Sequence, residues 1–320
     1  MINTNLYKGE REMDLQALKI FKIVAELGSI SRAARKLNYA QSNITTKIQQ
    51  LETHLQTTLF YRHNRGITLT SKGKTLLVYT EKILHLIDET KKVMNDDKTP
   101  KGPLVIGSME TTAAVRLPSI LSEYHKNYPE VELILKTGPT EQNIQEVLQY
   151  ELDGAFVSGP VKHPDLIQKI VIEEELALIT SVSHSTLSSI KDIKNRTLLV
   201  FRKGCSYRAK LEQWLHHEGI IPNKIMEFGS LEAILGCVSA GLGISLLPVS
   251  VIEKYLKLHR NIRYYPIPSP YSIVQTIFIY RKDSFITTAL KKFIDLLNEK
   301  SIECISDKSV CVSRDLSKRK

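Results

Sequence analysis

The sequence predicts an α/β protein that begins with an all-α winged helix-turn-helix and carries a long helix between the two parts. Three observations lead there. Two helical apolar stripes stand almost back to back within residues 28–55. A polar run containing Pro100 and Gly102 reads as a linker. Beyond Gly102 the texture changes to short strand-like runs alternating with helical ones.

The chain of 320 residues is long enough for two domains, and 42% hydrophobic content supports packed cores rather than disorder. Its formal net charge is +10, unevenly spread. Residues 14–75 hold ten Lys or Arg against three Asp or Glu, a net of +7. Residues 99–320 hold 28 against 24, a net of only +4. A positive field gathered on the first segment fits a polyanion partner. No apolar run has membrane-spanning length and residues 1–12 are polar, so a cytoplasmic protein with no membrane partner is expected. Cys205, Cys237, Cys304 and Cys311 show no close pairing and read as free thiols.

Residues 1–12 lack a core pattern. Lys8-Gly9-Glu10 can be encoded by a purine run of ribosome-binding type just upstream of Met13. Met13 is therefore expected to be the native start, with residues 1–12 an extension outside the fold. From Met13 to residue 70 the pattern is that of a winged helix-turn-helix. Leu15, Leu18, Phe21, Ile23, Val24 and Leu27 build a first helix. Ala33, Ala34 and Leu37 form one face of a second, broken at Asn38-Tyr39. Ile44, Ile48, Leu51 and Leu55 recur at i, i+4, i+7 and i+11, the stripe of a third. Its other face carries Gln41, Ser42, Asn43, Thr45, Thr46, Lys47, Gln49 and Gln50, with no carboxylate before Glu52. A merely solvated face would mix Glu with Lys. Amides and hydroxyls suit base edges and phosphate oxygens. Ser31 and Arg32 open the preceding helix and join the candidate contacts. Two extended runs around Asn64-Arg65-Gly66 make a hairpin that places Arg62 and Arg65 near a phosphate backbone. His63 has no second ligand at suitable spacing, so no metal site is expected there.

The run from Met13 through M-D-L-Q-A-L-K-I-F, A-A-R-K-L, Q-S-N-I-T-T-K-I-Q-Q-L-E, L-F-Y-R and I-T-L-T-S-K-G resembles the amino-terminal domain of LysR-type transcriptional regulators. The resemblance extends to the helix ending near Met94. It implies a winged helix-turn-helix, a dimerising helix, and a two-lobed effector domain related to bacterial solute-binding proteins. It also implies double-stranded DNA with an inverted-repeat operator, RNA polymerase and a small-molecule effector as partners, in a homodimer or homotetramer. The pair Asn43-Ile44 departs from the small or less polar pairs frequent in the family.

The long helix opens near Thr70-Ser71, where hydroxyls can cap it, and occupies residues 71–95. Leu76, Tyr79, Ile83, Leu86, Ile87 and Met94 recur at three- and four-residue steps. The plain alternative is a helix lying on its own core. The resemblance makes Leu76, Tyr79, Ile83 and Ile87 dimer contacts. Residues 96–101 are the linker. Within 102–300, strands are expected at 104–107, 131–135, 155–157, 176–179, 197–201, 225–228, 244–247 and 273–280. Helices are expected at 112–126, 140–152, 206–218, 230–240 and 285–299. Crossings between the lobes are expected near 173–176 and 271–276. Residues 301–320 read as a mobile basic tail.

In open α/β sheets a ligand sits beyond the carboxyl ends of the strands. That rule selects Ser108, Met109, Glu110, Thr111, Thr137, Thr140 and Ser158 from one lobe. From the other it selects Arg202, Cys205, Ser206, Gly229 and Ser230. Hydroxyls at helix starts beside a cation suit a small anion, although each hydroxyl taken singly can be a plain cap. Glu110 would repel an anion or hold a ligand amine. Gly241-x-Gly243 lacks the third glycine of a dinucleotide fingerprint, so no cofactor is expected. No nucleophile elbow is present, so an enzyme is not expected. His216 and His217 are adjacent and diverge on a helix. Cys205 resembles the reactive cysteine of the family's peroxide-sensing branch, and Arg202, Lys203, Arg208 and a helix start could lower its pKa, but the following helix holds no resolving cysteine and position 214 is Trp. A thiol-based regulator using Cys205 is therefore the alternative, and a solute-binding protein is the rival from another class.

Overall fold

The computed structural model describes residues 13–63, 66–96, 98–184, 187, 189–257 and 261–311, with 301–311 by backbone only. Residues 1–12, Arg65 and residues 312–320 lie outside the described residues, so the expected extension, one wing contact and the end of the expected tail do too. Two compact units divide at Met94.

In the first unit, α1 (Leu15–Leu27) is capped by Asp14, whose carboxylate accepts from the Gln16 N–H. Gly28 ends it at φ 58, a conformation natural to glycine. α2 (Ile30–Leu37) is capped by Ser29 and ends on Asn38 at φ 55. α3 (Gln41–His54) follows after two residues. Ala33, Ala34, Ile44, Ile48 and Leu51 meet Leu18, Phe21 and Val24 in one core. Ile20 belongs to that core, whereas Leu15 is 45% exposed. Leu15 starts the first turn of α1, before the helix reaches its partners. β1 (Phe60–His63) and β2 (Gly66–Leu69) pair antiparallel from Phe60 with Leu69 to His63 with Gly66. The Ile67 N–H donates to the Gly28 carbonyl, tying the wing to the end of α1. α4 (Ser71–Asn95) starts where Thr70 Oγ1 accepts from the Gly73 N–H at 2.9 Å.

The second unit begins with β3 (Gly102–Ser108), α5 (Glu110–Val115), α6 (Leu117–Asn127), β4 (Val131–Thr137), α7 (Thr140–Leu148) and β5 (Gly154–Gly159). The expected single helix over 112–126 is two, broken at Arg116. Pro118 follows directly and cannot donate a backbone hydrogen bond. Next comes β6 (Leu166–Ser181), sixteen residues long, of which the sequence reading found only 176–179. Its first half, L-I-Q-K-I-V-I-E, reads i-i-e-i-e-B-i-e in burial, and Gln168, Lys169 and Glu173 limit its apolar runs to three residues, short of a buried strand's signal. A 3-10 turn (Ile190–Asn195), β7 (Thr197–Phe201), α8 (Ser206–His217), β8 (Lys224–Phe228), α9 (Leu231–Ser239) and β9 (Ile244–Pro248) follow. α10 (Val249–Leu256) and β10 (Ile262–Pro266) were not foreseen. β11 (Ile273–Arg281) and α11 (Thr288–Cys311) close the order. α11 continues past residue 300, so residues 301–311, expected as part of a tail, are helical.

The strands form one path, β4-β3-β5-β11-β6-β9-β7-β8, with β10 also on β6. β11 runs antiparallel to β6 from Ile273 with Glu175 to Arg281 with Leu166. From Leu176 onward β6 changes neighbours and pairs with β9 and β10. The two lobes therefore share one strand, and the chain crosses at the two expected places. α6 and α11 cover one face of the first lobe around Tyr124, Phe156, Phe278 and Phe293, and α7 covers the other. The second lobe has its own core around Trp214, Ile234 and Leu246.

Candidate nucleic-acid interface and ligand cleft

α3 presents Gln41, Ser42, Asn43, Thr46, Gln49 and Gln50 to solvent, with Thr45 and Lys47 half-buried. Ala40, its N-cap, offers no side-chain oxygen, so the first-turn N–H groups are left without a side-chain cap. Ser31 Oγ donates to Gln41 Oε1 at 3.1 Å, which fixes the amide and links α2 to α3. Thr45 Oγ1 and Thr46 Oγ1 each donate 3.0 Å back to the carbonyls of Gln41 and Ser42. Their protons are used inside the helix, so outward they offer acceptors. Two of the sequence-selected cations are not free. Lys47 Nζ lies 2.8 Å from Asp14 Oδ2, and that ammonium holds the Asp14 carboxyl below its ordinary range. Arg32 donates to the Leu27 carbonyl and pins the start of α2. Arg62 and Arg35, by contrast, are exposed and form no ion pair among the described residues. Sequence reasoning passed over Arg35 because it attended to α3, although its position beside Ala33 and Ala34 already placed it on the outer face. His63 hydrogen-bonds Thr68 at 3.3 Å.

On α4, Leu76 and Ile83 pack against the core of their own unit. Both are only half-buried there. Tyr79 is 60% exposed and Leu86 56%, with Val93 at the same seven-residue step. Ile87 is half-buried.

In the second unit a cavity of about 140 Å³ opens between the lobes. Met109, Glu110, Thr111, Thr137 and Thr140 line it from one side, and Arg202, Cys205, Ser206 and Gly229 from the other. Nine of the twelve sequence-selected residues thus converge. The other three do not line it. Ser108 is buried and bonds the Met109 carbonyl. Ser158 sits behind Thr140, whose hydroxyl accepts the Ser158 N–H at 3.1 Å. Ser230 caps α9 by accepting from the Ala233 N–H. Gln142, Phe201, Tyr207 and Phe228 line the cavity without having been selected. Tyr207 directly follows Ser206, but its phenol reaches the site only because it bridges the lobes, 3.0 Å from Thr111 Oγ1. Burial, reinforced by the Glu174 carboxylate, pushes that phenol far up, so it acts as a neutral hydroxyl. Ser206 Oγ is buried with no hydrogen-bond partner among the described residues. At the crossing, Arg116 donates to Glu174 Oε1 from Nε at 3.2 Å and Nη2 at 3.0 Å, and Ser250 Oγ donates to the same oxygen at 2.6 Å. Lys254 Nζ donates to the Ala114 carbonyl at 2.8 Å.

At Cys205 the nearby charges do not produce the lowered pKa that the thiol alternative needs. Burial pushes its thiol up, and the lowering by the Arg208 and Tyr207 N–H groups and by the Arg208 charge does not offset this. Arg208 is occupied by Glu212 at 2.7 Å and Glu227 at 2.6 Å, which neutralise much of its field. Cys205 and Cys237 are both free thiols.

Two family models match: "Bacterial regulatory helix-turn-helix protein, lysR family" over residues 15–74, and "LysR substrate binding domain" over residues 97–301. The chain is 60% identical to the HTH-type transcriptional regulator GltR of Bacillus subtilis, covering 88% of this chain and 95% of that one. It superposes on a full-length OxyR variant from Pseudomonas aeruginosa with a TM-score of 0.63 at 21% identity, covering 92% of this chain and 96% of that one. Full-length CbnR in complex with its target DNA gives a TM-score of 0.61 at 24% identity, covering 90% and 100%. Both superpositions concern the fold. The winged helix-turn-helix, the two-lobed second unit and the identity to a curated regulator agree, and the chain belongs to the LysR family of DNA-binding transcriptional regulators.

Proposed function

We propose that residues 13–70 read an inverted-repeat operator through α3, and that a small molecule bound between the lobes of residues 102–300 alters transcription by RNA polymerase in the cytoplasm. The observation that carries the first half is the carboxylate-free outer face of α3 from Gln41 to Gln50, in a unit whose exposed Arg35 and Arg62 form no ion pair among the described residues. Amides there can bond adenine edges in two places, and the cations can neutralise phosphates. Helix 71–95 joins two copies through Tyr79, Leu86 and Val93, three of the apolar residues that its own unit leaves exposed. Tethering two reading heads raises operator affinity through effective concentration. The cleft acts only if the ligand favours one arrangement of lobes or subunits over another. Affinity selection of genomic fragments on the purified protein, followed by footprinting, tests this reading. The expected result is a protected inverted repeat. Uniform binding to all fragments, unchanged by Gln41→Ala, would refute base reading by α3.

A further inference from the structure

Two opposite charges line the cleft, one from each lobe, and among the described residues neither has a charged partner. Glu110 opens α5 and is half-buried. Arg202 follows β7, and its guanidinium lies across Gly229, where an added Cβ would stand 2.9 Å from Nη2. Both residues line the same cavity of about 140 Å³. Neither side chain makes an ion pair or hydrogen bond among the described residues, with each other included. Elsewhere in this unit, charges near the lobe boundary are satisfied, as Arg116 is by Glu174. Beside Arg202, the hydroxyl oxygen of Ser206 is buried without a partner. Met109, Phe201 and Phe228 keep part of the wall apolar, which strengthens electrostatic interactions inside.

A neutral ligand would cover the exposed Arg202 and the half-buried Glu110 without replacing the solvent that each charge would lose. A dicarboxylate would satisfy Arg202 and meet repulsion at Glu110, and a diamine would do the reverse. A molecule carrying one carboxylate and one ammonium satisfies both ends. We infer that the cleft takes a small amino carboxylate, its carboxylate held by Arg202 and Ser206 and its ammonium by Glu110. The cavity is close to the ~150 Å³ that accommodates benzene, so the side chain must be compact. This inference rests on the cleft reading above and adds the chemical class to it.

Calorimetric titration of the full-length protein with free α-amino acids, one at a time, is the test. At least one is expected to bind, with its N-acetyl and carboxamide forms each weaker by at least about tenfold, as loss of a charged hydrogen-bond partner predicts. Glu110→Gln should erase only the N-acetyl penalty, and Arg202→Gln only the carboxamide penalty. The class is overturned if no free amino acid binds at millimolar concentration, if the N-acetyl form binds equally well, or if a dicarboxylate competes at lower concentration. Failure of the cleft reading looks different. Binding would then survive Ser206→Leu and Thr137→Leu, two variants that narrow the cavity, each first shown to melt like wild type.

Discussion

At the scale of single residues, the same residue type takes different roles according to its neighbours. Ser230 spends its oxygen on a cap, whereas Ser206 keeps a buried oxygen unpartnered at the cleft wall. Gln41 is held by Ser31 with its amide nitrogen free to reach a base edge. Gln41→Ala should therefore cost about 1–3 kcal/mol at the cognate operator and much less on random DNA, read by fluorescence anisotropy on the two duplexes. Equal losses would place Gln41 outside base reading. Arg62→Ala should weaken both duplexes and flatten the salt dependence by about one unit of slope. Lys47→Ala should change the slope less, because Asp14 already pairs that ammonium. Cys205 supplies a pH test. Burial raises its pKa, so the folded thiol ionises above the pH at which an unfolded cysteine does, about 8.5. The stability this contributes is fully present below the unfolded value and is lost as pH rises through the folded one. Iodoacetamide labelling mapped by mass spectrometry should be slower at Cys205 in native than in unfolded protein at neutral pH. Cys205→Ser should leave the ligand response intact. Faster native labelling would restore the thiol-sensing alternative.

At the scale of elements, α4 has two faces with different occupants. Leu76, Leu77 and Ile83 contribute to the core of the first unit, while Tyr79, Leu86 and Val93 stay exposed at seven-residue spacing. That spacing keeps one stripe aligned along a long helix, as a helix-helix seam requires. Leu86→Glu should split the dimer on size-exclusion chromatography with little change in melting temperature, because an unpartnered charge is costly only where a second copy buries it. Ile83→Glu should lower the melting temperature as well. Matching behaviour of the two variants would contradict the division of faces. The periodicity of 76, 79, 83, 87 and 94 was legible in the sequence, but it mixed the two faces. Only the position of the preceding helices shows which positions the unit covers itself.

At the scale of the whole second unit, β6 belongs to both lobes, and Glu174 sits on it just before the strand changes partners. Its buried carboxylate gathers Arg116 from the break between α5 and α6 and Ser250 from α10. Glu174→Ala would leave Arg116 and Ser250 without their acceptor. The expected cost is about 1–3 kcal/mol, or a few degrees of melting temperature for a domain of this size by scanning calorimetry. No shift would mean that solvent replaces the bonds and that the crossing is not fastened there.

By itself the sequence determined the three helices of the first unit, the strand-helix alternation after Gly102 and the two crossing places. Apolar periodicity and turn residues encode these locally. It also identified most of the cleft, because ligand groups at the carboxyl ends of strands follow from chain order. Tertiary structure decided the rest. Pro118 divides a helix that periodicity would have continued, and the interrupted apolar pattern of the first half of β6 becomes a strand because β11 pairs along it. The pairing of Lys47 with Asp14, 33 residues apart, and of Thr111 with Tyr207, 96 apart, depends on contacts distant in the chain. The raised thiol of Cys205 arises from burial, which no local pattern of charges discloses.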